Sequence, residues 1–158
     1  LLPDFAGSGT PTFDTASKGA ILGLTFGTTK TDLAKAVLEG LTYELRLNLD
    51  LLKEGGVRID ELRAIGGGAR SELWLQLKAD ITGVPVVAPR ITEAASWGAA
   101  LLAGLGAGHF SSAAEAAEQT VHLDRWFEPD PARAARYEER YGLYREVYPA
   151  LKGIHHRM

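Results

Sequence analysis

Three consecutive glycines, Gly66-Gly67-Gly68, form the segment of this sequence best suited to ligand chemistry, because they lie between a predicted strand and a predicted helix. Glycine lets the backbone come close to a ligand, and a helix N-terminus supplies free N–H groups. The spacing is neither that of a P-loop nor that of the dinucleotide fingerprint. A tight strand-to-helix turn without a ligand explains the glycines equally well, so both interpretations stay open.

Gly40 is a second unusual glycine, because it lies inside a long predicted helix. Glycine there costs about 1 kcal/mol relative to alanine. Either a neighbouring helix packs closely against it or a ligand does, and helix packing is the commoner cause. Glu44 follows one turn later on the same face, so the two residues could together frame a flat ring and its ribose.

The other polar residues predict no catalytic group. The four histidines (His109, His122, His155, His156) have no metal-binding spacing with carboxylates, and four scattered aspartates (Asp14, Asp32, Asp60, Asp80) have no evident base or nucleophile partner. The chain has no cysteine, which excludes disulfides and thiolate metal sites and fits a reducing compartment. We therefore expect neither a catalytic residue nor a metal site among these residues.

Composition excludes two classes of partner. The formal net charge is -3, with 46% hydrophobic and 23% charged residues, so no bulk field favours nucleic acid or an anionic membrane. No apolar run approaches the roughly 18 residues that span a bilayer, and the first residues have no signal-peptide pattern. We expect a cytoplasmic protein without nucleic-acid or membrane partners. The start also resembles the middle of a longer protein.

Strand and helix signals alternate along the chain, which indicates an α/β domain with parallel neighbouring strands. Leucine spacing predicts a long helix from an N-cap at Thr31 to Gly55-Gly56. Shorter predicted elements follow: strands over residues 63–65 and 84–88, and helices capped by Ser71 and by Thr92, the second over residues 93–105. Residues 1–20 are predicted to be a loop, and residues 20–24 a short extended segment.

The last third of the chain is predicted to be helical. Ser112 and Glu115 have the spacing of a capping box, and Asp130-Pro131 is a typical helix start. Four tyrosines then recur on one helical face: Tyr137, Tyr141, Tyr144 and Tyr148. Either they pack onto their own domain, or they form an exposed surface through which copies of the chain associate.

Two groups of residues resemble the FGGY family of carbohydrate kinases. The first is similar to the family's C-terminal signature: Gly19-Ala20-Ile21-Leu22-Gly23-Leu24, a seven-residue gap, Asp32-Leu33, and Ala36-Val37-Leu38-Glu39. The second is similar to its adenosine motif: Ile65-Gly66-Gly67-Gly68-Ala69-Arg70-Ser71, Trp74, Gln76 and Ala79-Asp80-Ile81. The resemblance covers residues 1–150, and several motifs in order are far more specific than any one.

This resemblance implies a ribonuclease-H-like α/β domain of the actin and hexokinase type. Residues 1–110 would form the nucleotide-binding lobe without its first strands, and residues 111–158 a helical extension. The family transfers the γ-phosphate of ATP, with Mg²⁺, to a hydroxyl of a small sugar or polyol, and a pentulose such as xylulose is our first expectation. The aspartate base and the sugar pocket belong to the family's N-terminal lobe, so we expect the chain alone to be inactive.

The resemblance also implies nucleotide contacts at six positions: Gly40, Glu44, Gly67, Gly68, Ala69 and Glu72. Related kinases carry Gln where this chain has Glu44 and Asn where it has Glu72, so the glycines are the stronger assignments. Two other interpretations remain, a non-catalytic nucleotide-binding regulatory module of the same superfamily and an α/β interaction domain in which every glycine is structural. Exposed lobe surfaces also predict a homo-oligomer.

Overall fold

A computed structural model describes all residues, Leu1–Met158, and they form two compact units. The first contains Leu1–Ile59, Asp80–Gly83 and Pro129–Met158, and the second contains Asp60–Ala79 and Val84–Glu128. Residues 111–128 belong to the second unit and residues 129–158 to the first. None of the helices is long and apolar enough to cross a membrane.

The first unit is built on two helices of 25 residues, α1 (Lys30–Glu54) and α5 (Pro131–His155). The prediction of Thr31 as the N-cap of α1 is wrong. Thr29 is the cap, because its hydroxyl accepts from the Asp32 N–H at 3.2 Å while the Asp32 carboxylate accepts from the Thr29 N–H at 2.9 Å. The predicted end at Gly55 and the predicted start of α5 at Asp130 are both confirmed.

The tyrosines of α5 pack onto α1, which is the first of the two alternatives that the sequence left open. Tyr137, Tyr141 and Tyr144 are at most 9% exposed, and all three rings surround the ring of Tyr43. The Tyr43–Tyr144 centroids are 4.9 Å apart. Aromatic pairs at such distances contribute about 0.5–1.5 kcal/mol each beyond the area that they bury. The hydroxyls reach acidic partners, which are Glu39 for Tyr137, Asp50 for Tyr141, Glu44 for Tyr144 and Asp14 for Tyr148.

The first 28 residues of this unit form irregular structure, as predicted for residues 1–20. Leu2 and Ala20 form an isolated antiparallel bridge, with backbone hydrogen bonds of 2.8 and 3.0 Å. Buried Asp4 accepts a hydrogen bond of 2.6 Å from the Ser17 hydroxyl. The predicted extended segment over residues 20–24 pairs only at Ala20, and Leu22 is exposed.

The second unit contains a three-stranded sheet in the order β1 (Leu62–Arg63), β2 (Val86–Pro89), β3 (Leu123–Phe127). The predicted parallel pairing is confirmed for β1 and β2. β3 was not predicted, and it runs antiparallel to β2. The central strand β2 is buried along its whole length and packs with Ala69, Leu75 and Ala79.

Three α-helices complete this unit's elements: α2 (Glu72–Thr82), α3 (Ala94–Gly106) and α4 (Ala113–Thr120). The final residues of α2 belong to the first unit. Ser71 caps α2 as predicted, since its hydroxyl accepts from the Trp74 N–H at 3.3 Å. The prediction of Thr92 as the cap of α3 is wrong, because Glu93 occupies the N-cap, without a side-chain hydrogen bond. The Thr92 carbonyl instead accepts from the N–H groups of Gly66 and Ala94.

Candidate nucleotide site

The predicted glycine turn lies between β1 and α2 and depends on glycine at its first position. Gly66 has a φ of +76°, which side chains rarely tolerate, and its N–H donates to the Thr92 carbonyl at 2.7 Å. A short 3-10 helix, Gly67–Arg70, follows directly. Because its first internal hydrogen bonds begin at later residues, the N–H groups of Gly67 and Gly68 have no partner within this helix.

The next two glycines differ in what surrounds them. A methyl group on Gly67 would meet no heavy atom within 4 Å, so its backbone faces open space. A methyl group on Gly68 would lie 2.9 Å from the ring of Trp74. Gly68 is therefore required for packing inside the unit, whereas Gly67 leaves the backbone accessible to a ligand.

The two further predicted contacts in this unit have different environments. Ala69 is completely buried, its N–H donates to the Gly66 carbonyl at 3.1 Å, and its carbonyl accepts from Arg125 Nη2 at 2.8 Å. Ala69 thus anchors the turn to the core. Glu72 is exposed in the first turn of α2, where the helix dipole favours a negative charge. Its side chain is accessible to a ligand.

Gly40 is buried in α1, and the first residue of the chain packs over it. A methyl group here would lie 2.4 Å from the Leu1 carbonyl oxygen and 3.2 Å from Leu1 Cδ2. Close packing, one of the two explanations for this glycine, is therefore present, although the neighbour is an irregular segment rather than a helix. Its role in nucleotide contact stays a prediction.

Glu44 lies one turn after Gly40 and is half-buried against α5. The Tyr144 hydroxyl donates to its Oε1. Burial raises the pKa of Glu44 above its ordinary value, the Tyr144 hydrogen bond opposes this increase, and the charge of Asp4 adds to it. Burial and the same hydrogen bond also raise the pKa of Tyr144. The carboxylate thus already has a protein partner, and its proposed contact with ribose stays a prediction.

Sequence reasoning missed the partners of the scattered aspartates. Asp14 accepts from the Tyr148 hydroxyl at 2.7 Å and lies 2.6 Å from His156 Nε2. Asp80, only 3% exposed, lies 2.8 Å from Arg133 Nε and accepts from the Asp130 N–H. These pairs join residues that are distant in the sequence, so no local signal could have revealed them.

The two sets of predicted contacts belong to different units. Gly40 and Glu44 lie on α1 in the first, whereas Gly67, Gly68, Ala69 and Glu72 lie together at the start of α2 in the second. In the second unit, the accessible backbone of Gly67 could contact a polar group of a ligand. No group of three or more acidic or histidine side chains is placed to hold a metal ion.

The chain is similar to known sugar and polyol kinases. A xylulose kinase of Staphylococcus epidermidis is 37% identical over 152 residues, which are 96% of this chain and 31% of the relative. A glycerol kinase of Geobacter sp. (strain M21) is 45% identical over 155 residues, 96% of this chain and 30% of the relative. The chain thus spans about a third of the length of these curated relatives.

The fold is also that of a solved kinase. The crystal structure of Plasmodium falciparum glycerol kinase with ADP matches with a TM-score of 0.75 and 25% identity, over 92% of this chain and 30% of that one. The expected actin/hexokinase-like ATPase fold is thereby confirmed. The family model "FGGY family of carbohydrate kinases, C-terminal domain" matches residues 1–107. The chain belongs to the FGGY family of carbohydrate kinases.

Proposed function

We propose that this chain is the nucleotide-binding part of an ATP-dependent kinase that phosphorylates a hydroxyl of a small sugar or polyol. The observation that supports it is the accessible backbone at Gly67, directly after the positive-φ turn at Gly66, in a chain of the FGGY family. A backbone held at a helix start with N–H groups free is suited to polar parts of a nucleotide.

In this proposal Gly67 and the exposed carboxylate of Glu72 contact the adenosine, and Gly68 and Ala69 support them. Gly68 provides the space for the ring of Trp74, and the Lys78 ammonium lies 4.4 Å from the centroid of that ring. Ala69 ties the turn to the core through Arg125. Such indirect support is what holds a binding backbone in one conformation.

The acceptor is a small polyhydroxy compound, for which the names of the relatives give two choices. Xylulose kinase and glycerol kinase both occur among proteins at least 37% identical to this chain. A pentulose is our first choice and glycerol the second.

Nucleotide binding is tested with Gly67→Ala. A methyl group at this position meets no protein atom, so folding should be unchanged, but it would occupy the space in which the ligand approaches the backbone. We expect ADP binding by this chain on the order of millimolar, and a loss of about tenfold in the variant, since an intruding methyl typically costs 1–3 kcal/mol. NMR titration with ADP measures both.

The control is Gly106→Ala, because a methyl group there also meets no heavy atom within 4 Å and lies in the same unit. Gly68→Val would be a poor test, since its side chain would displace Trp74 whether or not a nucleotide binds. Equal ADP affinity in the Gly67→Ala and Gly106→Ala variants would contradict the assignment.

Kinase activity is tested by expressing the chain together with its flanking coding sequence. ADP release is then measured with xylulose, glycerol and a panel of other pentuloses, hexuloses and polyols. We expect acceptor-dependent turnover from the longer protein and none from the 158-residue chain alone. ADP binding without turnover on any acceptor in the longer protein would favour a regulatory module instead.

A further inference from the structure

A recess in the first unit is lined by four cationic side chains and one tyrosine, and by no carboxylate. Its lining residues are Lys35 of α1 and Arg133, Arg136, Tyr137 and Arg140 of α5. Its volume is about 140 Å³. Cations so close together repel one another, and their combined field attracts an anion.

The spacing of these residues explains how they meet. Arg133, Arg136 and Arg140 follow one another at intervals of three and four residues, so they share one face of α5. The Tyr137 ring is buried between α5 and α1, and its hydroxyl donates to Glu39 Oε1 at 3.0 Å. Lys35 Nζ lies 3.5 Å from the same oxygen. Glu39 therefore holds both Tyr137 and Lys35 in place.

Only part of this positive charge is neutralised within the protein. Arg133 already forms ion pairs: its Nε lies 2.8 Å from Oδ2 of buried Asp80, and its Nη2 lies 3.8 Å from Oδ2 of Asp130. Arg136 and Arg140 are exposed and form no ion pair or side-chain hydrogen bond. Two guanidinium groups thus keep all their donors free beside two cations that neighbouring carboxylates hold in position.

We propose that this recess binds the phosphate group of a small ligand, either inorganic phosphate or a phosphorylated metabolite. The planar guanidinium matches phosphate oxygens in pairs, which makes arginine the preferred residue for such groups. Pockets for drug-sized ligands are about 300–1,000 Å³, so a recess of about 140 Å³ fits one phosphate group rather than a whole nucleotide. The site is distinct from the glycine turn and does not depend on the proposed kinase function.

The test compares the 158-residue chain with the double variant Arg136→Gln/Arg140→Gln. Neither arginine has a partner in the protein, so the variant should fold. The control, Arg90→Gln/Lys53→Gln, removes the same charge from exposed positions that do not line the recess. Amide NMR shifts are followed while inorganic phosphate, and then glycerol 3-phosphate, replaces chloride at constant ionic strength.

We expect saturable shifts at Lys35 and residues 133–140, weakened at least about tenfold in the double variant and unchanged in the control. Binding of inorganic phosphate identifies the free ion as sufficient, and binding of glycerol 3-phosphate alone identifies an organic phosphate. The absence of saturable shifts at these residues with both probes, or equal binding by the double variant, would overturn the proposal. Gly67→Ala should leave this binding unchanged.

Discussion

Replacing Gly40 by alanine separates packing from ligand contact at this position. The new methyl would lie 2.4 Å from the Leu1 carbonyl oxygen, far inside van der Waals contact. Leu1 cannot withdraw freely, because the adjacent Leu2 is 2% exposed and its N–H donates to the Ala20 carbonyl. Overpacking of this kind costs about 1–3 kcal/mol, and the higher helix propensity of alanine returns about 1 kcal/mol. We expect a net loss of about 1 kcal/mol.

The matched control is Gly142→Ala in α5, where a methyl meets no heavy atom within 4 Å. This variant should gain up to about 1 kcal/mol, so the two variants should differ by about 2 kcal/mol in unfolding free energy. Urea unfolding followed by circular dichroism, without nucleotide, measures that difference. If Gly40→Ala proves as stable as Gly142→Ala, the Leu1 carbonyl can move away from the new methyl group without cost, and the packing explanation is wrong.

Four further substitutions test the contacts between α1, α5 and the N-terminal loop. Tyr144→Phe should lower the unfolding free energy by about 1–3 kcal/mol, because it leaves half-buried Glu44 without its hydrogen-bond donor. Tyr43→Phe should be neutral or slightly stabilising, because the buried Tyr43 hydroxyl has no partner. Thermal unfolding of both variants measures this order of stability, and the reverse order would contradict it. The pKa of Glu44 is raised by burial, so its favourable contribution is present below the unfolded pKa of about 4.3 and is lost as pH rises through the folded pKa. Glu44→Gln should therefore be more stable than the parent at pH 7 and not at pH 4, and equal differences at both pH values would contradict this. Hydrogen bonds from His156 and Tyr148 hold the pKa of Asp14 well below its usual range, so its contribution is present above about pH 3.9 and is lost on acidification. Asp14→Asn should unfold with a shallower acid dependence, and an unchanged pH profile of Tm would exclude the role.

Local signals were enough to predict most helix ends. Asp130 before Pro131, Ser71 before α2 and Gly55 after α1 each act on backbone groups within a few residues, so their roles can be inferred from spacing alone. The prediction of Thr31 as the N-cap of α1 was wrong because the capping box requires an acidic residue three positions after the cap. Asp32 has that spacing from Thr29.

Local sequence signals cannot predict the pairing of strands that are distant along the chain. β3 alternates half-buried and exposed residues, but its antiparallel place beside β2 is determined by contacts with residues 34–41 positions away along the chain. The candidate site likewise has features that local sequence predicts and features that depend on distant residues. The glycine turn was predicted from sequence, whereas the different roles of Gly67 and Gly68 depend on where the Trp74 ring lies, and that of Gly40 on Leu1.

The paired tyrosines and carboxylates have a consequence for how this sequence can change over time. Each hydroxyl of α5 donates to one acid, at Glu39, Asp50, Glu44 or Asp14. Losing a tyrosine removes one hydrogen-bond donor from its acid, and losing an acid leaves a tyrosine hydroxyl without its acceptor. Neither partner can therefore be exchanged freely by itself. Among relatives, we expect substitutions at positions 137, 141, 144 and 148 to be accompanied by substitutions at positions 39, 50, 44 and 14, respectively.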